Sequence, residues 1–317
     1  MRGRCRSRRA CTCSLMCSSA IVIAILVGTA ACTVGCRRPG AELSSGDSGG
    51  SGGSSEARVT SPPNALPLPS SSVEAQVNPA KLPPYDGPTG SVEGFVFVKG
   101  PTAPEVPMLD FRTCPAGIDT YSKLFRAGPV NDQGLRPLAD AVVVVTGYAG
   151  YYLPDKNPVA SVTISANCGY PQRAIAITFG QRLEIANDSK YPFAPYLEGT
   201  FQPAIMIAPP RRSGDPVKLY PPSPGHFLMA DRMQSFVTED IYVLRHPLHT
   251  VTDLSGHYRI DGVPATSVKV GAILNAIRNE RQLDIDVRAH VVEKVDIVLT
   301  YSPDAHAPGG SPSHVIP

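Results

Sequence analysis

Short apolar runs dominate the chain from residue 90 to residue 301, and turn-forming Gly, Pro, Asn and Asp residues separate them. In the run 283–287, for example, Leu, Ile and Val alternate with two Asp residues. Such alternation is typical of strands with one buried and one solvated face. No apolar pattern of helical period extends beyond about three turns. The pattern predicts an all-β fold, a Greek-key β-sandwich rather than a sheet of βαβ units.

The run 141–145 is continuously apolar, which fits a strand buried on both faces. Short helices are expected at 119–125 and 231–237. The apolar stretch 204–208 precedes two prolines, and we expect either an ordinary strand leading into a loop or an exposed, partner-binding edge there. The predicted strands are 92–98, 141–146, 160–165, 174–178, 182–186, 241–244, 257–260, 267–274, 283–287 and 294–299.

The N-terminus has the pattern of a signal peptide. Five arginines between positions 2 and 9 precede the uncharged run 18–31, which is centred on Ile-Val-Ile-Ala-Ile-Leu-Val. Crossing a bilayer as a helix needs about 20 apolar residues, so a permanent transmembrane anchor is the weaker interpretation. The run ends in Thr-Ala-Ala before Cys32, which resembles a bacterial lipoprotein cleavage site. That resemblance implies lipidation of Cys32, with Cys36 as the competing position; ordinary secretion and an uncleaved anchor stay open as alternatives.

Composition divides the chain into four parts. Residues 1–31 are the expected signal peptide, and 32–89 are rich in Gly, Ser and Pro with too few large apolar residues for a core, which predicts a disordered tether. Residues 90–301 form the expected composite β-domain. Residues 302–317 are again rich in Pro, Gly and Ser and are expected to form a flexible tail.

Only two of the eight cysteines belong to the expected folded region, Cys114 and Cys168. In an oxidising envelope an isolated pair most simply forms a disulfide, here closing a loop of roughly 55 residues. Two buried thiols are the alternative.

The net charge of +2 comes from the N-terminal arginines, and the remaining chain is slightly acidic, so nothing indicates nucleic-acid binding.

The opening and closing strands resemble a small sandwich of the transthyretin or carboxypeptidase-regulatory kind. The segment 90–96 reads Gly-Ser-Val-Glu-Gly-Phe-Val, and 137–142 reads Pro-Leu-Ala-Asp-Ala-Val. The segment 252–264 reads Thr-Asp-Leu-Ser-Gly-His-Tyr-Arg-Ile-Asp-Gly-Val-Pro, in which Asp253 to Gly256 form a tight turn between strands. This resemblance implies a stabilising or adhesive module without chemistry of its own.

A second resemblance covers about residues 140–250. The segment 168–171 reads Cys-Gly-Tyr-Pro and precedes an apolar run, and 180–188 reads Gly-Gln-Arg-Leu-Glu-Ile-Ala-Asn-Asp. This order is similar to that of cupredoxin-like envelope proteins related to methylamine-utilisation and plastocyanin-type domains. The resemblance implies a sandwich that carries type 1 copper in the family.

The copper ligands are missing at every family position. The first histidine falls on Phe193, and the Cys-x-x-His-x-x-Met positions fall on Asp231, Gln234 and Val237. Type 1 copper needs two histidines, a thiolate and usually a weak axial methionine, and no cysteine follows Cys168. We therefore expect neither copper electron transfer nor any other cofactor.

No catalytic constellation is recognisable. No serine of the expected β-domain lies in a Gly-x-Ser-x-Gly turn, and the sequence does not establish the separation of the acids at 231, 239 and 240. His246 and His249 are expected to point to opposite faces of an extended segment.

The sequence predicts a non-catalytic, lipid-anchored binding or structural module of the bacterial cell envelope, in the outer membrane or periplasm. Its expected partner is an unknown envelope protein or polysaccharide.

Two alternatives stay open. One is a periplasmic redox or metal-binding protein that uses His226, His246 and nearby acids. The other is a cell-surface carbohydrate-binding module, although the chain has no Trp, the side chain that stacks best on sugars. Its candidate rings are Tyr148, Tyr151, Tyr152, Tyr191 and Tyr196.

Overall fold

The computed structural model describes residues 67–200 and 204–303. Strands dominate these residues, and the predicted all-β sandwich class is confirmed. The helices are Ser70–Val77 (α1) and Ile118–Tyr121 (α2). The strands are Thr89–Lys99 (β1), Arg136–Pro137 (β2), Val142–Thr146 (β3), Val159–Ile164 (β4), Ala174–Thr178 (β5), Arg182–Asn187 (β6), Pro195–Leu197 (β7), Val217–Leu219 (β8), Gly225–Asp231 (β9), Thr238–Leu244 (β10), His249–Val251 (β11), His257–Pro264 (β12), Ser267–Leu274 (β13), Asn279–Asp286 (β14), Val292–Lys294 (β15) and Ile297–Thr300 (β16).

The first sandwich is built from both ends of the described chain. In one sheet β1 pairs with β12 and β2 in antiparallel and with β15 and β16 in parallel orientation; the other sheet has the order β11-β3-β13-β14. Val96, Tyr258, Val270 and Leu299 are among the residues of its core. The predicted strand 294–299 is divided into β15 and β16. Between them the Val295 amide donates to the Glu93 carbonyl at 2.9 Å, and the Asp296 carboxylate accepts the Phe95 amide at 2.9 Å.

The second sandwich is formed by the middle of the chain. Its sheets have the orders β4-β6-β8 and β5-β10-β9-β7, so that successive strands from β4 to β9 alternate between the two sheets. Ile177, Leu183, Phe193 and Ile241 belong to the core between them. The disulfide Cys114–Cys168 lies in the same core, with its Cα atoms 6.2 Å apart.

The two sandwiches share an apolar contact. Val142 of β3 packs with Ala174 of β5 and Tyr242 of β10, and Val251 of β11 and Ile273 of β13 extend this contact. The sheet that contains β3 is therefore covered on both faces. This explains the uninterrupted apolar run 141–145, whose burial on both sides was expected from sequence.

Three sequence-based expectations differ from the structure. Residues 67–88, assigned to the tether, include α1, whose Val73 and Val77 pack against the second core together with Leu68. No helix forms at 231–237, because Asp231 ends β9 and accepts bonds from a turn. The stretch 204–208 is extended without pairing apart from one bridge, Phe193 to Ala208.

Among residues 67–200 and 204–303, no helix is long and apolar enough to cross a membrane. Residues 1–66 lie outside the described chain, so the predicted signal peptide, Cys32 and Cys36 do as well. The same holds for most of the predicted tail.

Candidate functional site

The four positions onto which the sequence resemblance places the copper ligands come together at one end of the second sandwich. Phe193 lies in the loop between β6 and β7, Asp231 is the last residue of β9, and Gln234 and Val237 lie in the turn before β10. All four side chains are buried. Backbone bonds join the two segments, since the Arg232 amide donates to the Ala194 carbonyl at 3.1 Å.

The Asp231 carboxylate is fully engaged with backbone donors. One oxygen accepts the Ala194 amide at 2.7 Å, and the other accepts the amides of Met233 and Gln234, each at 2.8 Å. Burial raises the pKa of Asp231, although these three bonds act in the opposite direction. The carboxylate thus fixes the turn after β9 and ties it to the neighbouring loop.

The Gln234 amide is engaged in the same way. Its oxygen accepts the Thr113 hydroxyl at 2.7 Å, and its nitrogen donates to the Pro192 carbonyl at 3.4 Å.

The other two positions, Phe193 and Val237, contribute only hydrocarbon. A carboxylate, an amide and two apolar side chains do not fit type 1 copper, which requires imidazoles and a thiolate. Within the described residues, no group of three or more His, Cys, Asp or Glu side chains is arranged to hold a metal ion.

Asn187 and Asp188, which carry part of the cupredoxin resemblance, differ in their surroundings. The buried Asn187 donates to the carbonyls of Tyr191 and Ala208, at 2.7 and 3.0 Å, and accepts the Ser189 amide at 2.9 Å. Asp188 is exposed and forms an ion pair with Arg212. Asn187 therefore holds the loop that presents Phe193.

A buried acid lies next to this end of the sandwich. Glu239 of β10 accepts the Tyr121 hydroxyl at 2.5 Å, and the guanidinium of Arg173 lies 5.6 Å from the Tyr121 ring centre. The second Glu239 oxygen and the Tyr170 hydroxyl are buried without a hydrogen-bond partner in the structure. Burial raises the pKa of Glu239 well above its usual range. Sequence alternation could have revealed this acid, because Glu239 occupies the same inward face as Val237 and Ile241.

We expect Glu239→Gln to stabilise the fold at alkaline pH. Because burial makes the pKa higher in the folded chain, unfolding releases the proton, and wild-type stability falls as the pH rises above 4.5, the ordinary value. Glutamine is neutral at every pH. Glu239→Gln should therefore raise the free energy of unfolding only slightly near pH 4.5 and by about 1 kcal/mol or more at pH 8. Urea unfolding at both pH values measures this. Asp188→Asn, an exposed control, should change the free energy of unfolding little at either pH. A stabilisation by Glu239→Gln that does not grow with pH would contradict the prediction.

The histidines of the described chain have different neighbours, although His246 and His249 are close enough to interact electrostatically. His226 bonds to Asp240 at 2.6 Å and packs on Tyr242 of β10, whereas His246 follows the end of that strand and packs on Tyr148. His249 lies 3.2 Å from the Thr178 hydroxyl. Burial lowers the pKa of both His246 and His249 to about 4, so both are neutral at pH 7.

The candidate sugar-binding tyrosines do not form an open platform. Tyr148 stacks on Tyr151 with ring centres 5.5 Å apart, and Tyr85 contacts the Tyr151 ring at 4.4 Å. Tyr196, in β7, is covered by Arg232 at 4.3 Å. Ring faces that protein groups already cover offer little area for stacking on a sugar.

No protein-family model and no curated protein sequence matches the chain. Among solved structures, the chain is similar to amicyanin from Paracoccus versutus, with 14% identity over 29% of this chain and 84% of that one, and a TM-score of 0.23. A purple cupredoxin from Nitrosopumilus maritimus is 14% identical over 26% and 98% of the two chains, with a TM-score of 0.23. A copper-containing nitrite reductase from Thermus scotoductus is 15% identical over 32% of this chain and 26% of that one, with the same TM-score. These similarities are weak and cover a minority of the chain.

Proposed function

We propose that the chain is a non-catalytic, lipid-anchored binding or structural module of a bacterial cell envelope, in which a cupredoxin-like sandwich works without type 1 copper. The observation that carries this proposal is the bonding of Asp231 and Gln234. Their side chains join two loops at the position that the sequence resemblance assigns to the metal. The ends of the sandwich and the edges of its sheets remain for contact with a partner, which we take to be an envelope protein.

The two alternatives receive less support. A redox or metal-binding role would need ligands that converge, and His226 and His246 have separate surroundings. A carbohydrate-binding role would need exposed rings on one face, and Tyr148, Tyr151 and Tyr196 have ring faces covered by other side chains.

Membrane anchoring makes its own prediction. A host bacterium that expresses the full chain should incorporate radiolabelled palmitate into it, because Cys32 follows the lipoprotein-like run Thr-Ala-Ala. Cys32→Ala should lose nearly all of the label, and the matched variant Cys36→Ala should keep it. If Cys36→Ala loses the label and Cys32→Ala keeps it, Cys36 is the lipidated residue. An unlabelled wild-type chain would contradict lipid anchoring.

A further inference from the structure

A groove of about 380 Å³ opens where three sheets end. Its lining comes mainly from β4, β5 and β11, and each of these is the outermost strand of its own sheet. β4 and β5 belong to the two facing sheets of the second sandwich, and β11 belongs to the first. The groove is therefore bordered by strand edges rather than by side-chain surfaces alone.

The register of β5 shows which of its backbone groups face this groove. The Asp240 amide donates to the Arg173 carbonyl, and the Phe179 amide donates to the Leu244 carbonyl, so odd-numbered residues of β5 bond to β10. The even-numbered residues consequently direct their amides and carbonyls away from β10. Gln181 caps the Thr178 amide at 2.8 Å, and Ala176 is left at the centre of the open edge.

β4 presents an equivalent edge across the groove. The Pro158 and Ile164 carbonyls accept amides from the β6 side, so even-numbered residues bond to β6 and Ser161 faces outward. Facing sheets lie about 10 Å apart, and paired strands about 5 Å apart. A strand that added to β5 would therefore lie in the plane of the β5 sheet, and the β4 edge of the facing sheet would border it without pairing with it.

We propose that this edge groove binds an extended segment of a partner polypeptide, which adds to β5 as a strand. Alternating unpaired donors and acceptors along a strand edge match another polypeptide backbone and no other common ligand. The inference rests on the proposed function as a binding module and names the class of partner and its site. The side chains of Gln172 and Gln181 lie along the groove, where they bond to the carbonyls of Val251 and Asn157 and shape its walls.

The free edge is tested first by amide hydrogen exchange on the full chain. The Ala176 amide should exchange at least tenfold faster than the amides of Ile175 and Ile177, which bond to β10. Equal protection of all three amides would show that the edge is already closed and would overturn the proposal.

Binding is tested with a phage-displayed library of random peptides of about six residues, the usual strand length. Bound peptides should protect the Ala176 amide, and N-methylation of the pairing peptide residue should weaken binding about tenfold, the scale of one or two lost hydrogen bonds. Ala176→Pro, which removes the outward amide, should weaken binding likewise. Thr163→Pro changes an outward position on the β4 edge beyond the groove and should leave binding unchanged.

Each contrary result has a distinct meaning. If peptides bind Ala176→Pro as tightly as wild type, the edge of β5 is not their binding site. The chain would still be a binding module. Failure to recover any peptide would also overturn the proposal. It would have no bearing on whether the chain binds copper, which is measured separately by metal content. The N-methylated peptides provide the same test on the unaltered chain if Ala176→Pro does not fold.

Discussion

Replacing Asp231 by alanine is expected to lower the free energy of unfolding by about 4 kcal/mol. The substitution leaves the buried amides of Ala194 and Gln234 and the part-buried amide of Met233 without their acceptor. Each buried donor that loses its partner costs about 1–3 kcal/mol. The loss is large because one carboxylate serves two segments, and the turn after β9 and the loop before β7 would separate together.

Urea unfolding of Asp231→Ala and two companion variants measures this cost. Asp231→Asn keeps one acceptor oxygen and should lose about half as much stability. Asp188→Ala removes an exposed carboxylate paired with Arg212, and exposed pairs contribute about 1 kcal/mol or less. Equal effects of Asp231→Ala and Asp188→Ala would show that the carboxylate does not hold the two loops.

Replacing both Cys114 and Cys168 by serine should also cost about 4 kcal/mol. The disulfide joins residues 54 positions apart, and cross-linking so long a loop restricts the unfolded chain strongly. It also holds the segment before α2 against the second core, where Phe111 packs on Phe236 at 4.9 Å between ring centres. Without the bond this segment should open before the sandwich unfolds.

The comparison for this prediction is the wild-type chain with and without a reducing agent. Reduced wild type and the double serine variant should unfold at the same urea concentration, well below that of the oxidised chain. The variant itself should not respond to reductant. Coincident curves for oxidised and reduced wild type would contradict a stabilising role for the disulfide.

The strands were predictable where alternation or a continuous apolar run was long. The runs 174–178 and 267–274 coincide with β5 and β13, and the run 141–145 is buried on both sides as expected. Several segments that sequence missed are short, such as β7 and β8 with three residues each, but the seven-residue apolar strand β9 was missed as well. β11 has three residues, and α1 is held by contacts of Val73 and Val77 with a distant core rather than by a strong apolar face of its own.

The match of Phe193, Asp231, Gln234 and Val237 to the family's metal positions stays a prediction. The sequence singled out these four residues, which the structure places at one end of the second sandwich. It could not show what occupies that end, because the bonds of Asp231 reach an amide 37 residues away. The expected helix at 231–237 was wrong because Asp231 accepts the amides two and three residues further on in a turn, and it also accepts the distant Ala194 amide.

Copper loading of the full chain shows whether the protein can bind type 1 copper. The purified protein is incubated with copper(II), freed of excess metal, and examined by elemental analysis and visible absorption. We expect no stoichiometric copper and no intense copper–thiolate band, because Asp231 and Gln234 bond to the protein and Phe193 and Val237 are hydrocarbon. One copper per chain with an intense blue colour would contradict it and would make the protein an electron carrier.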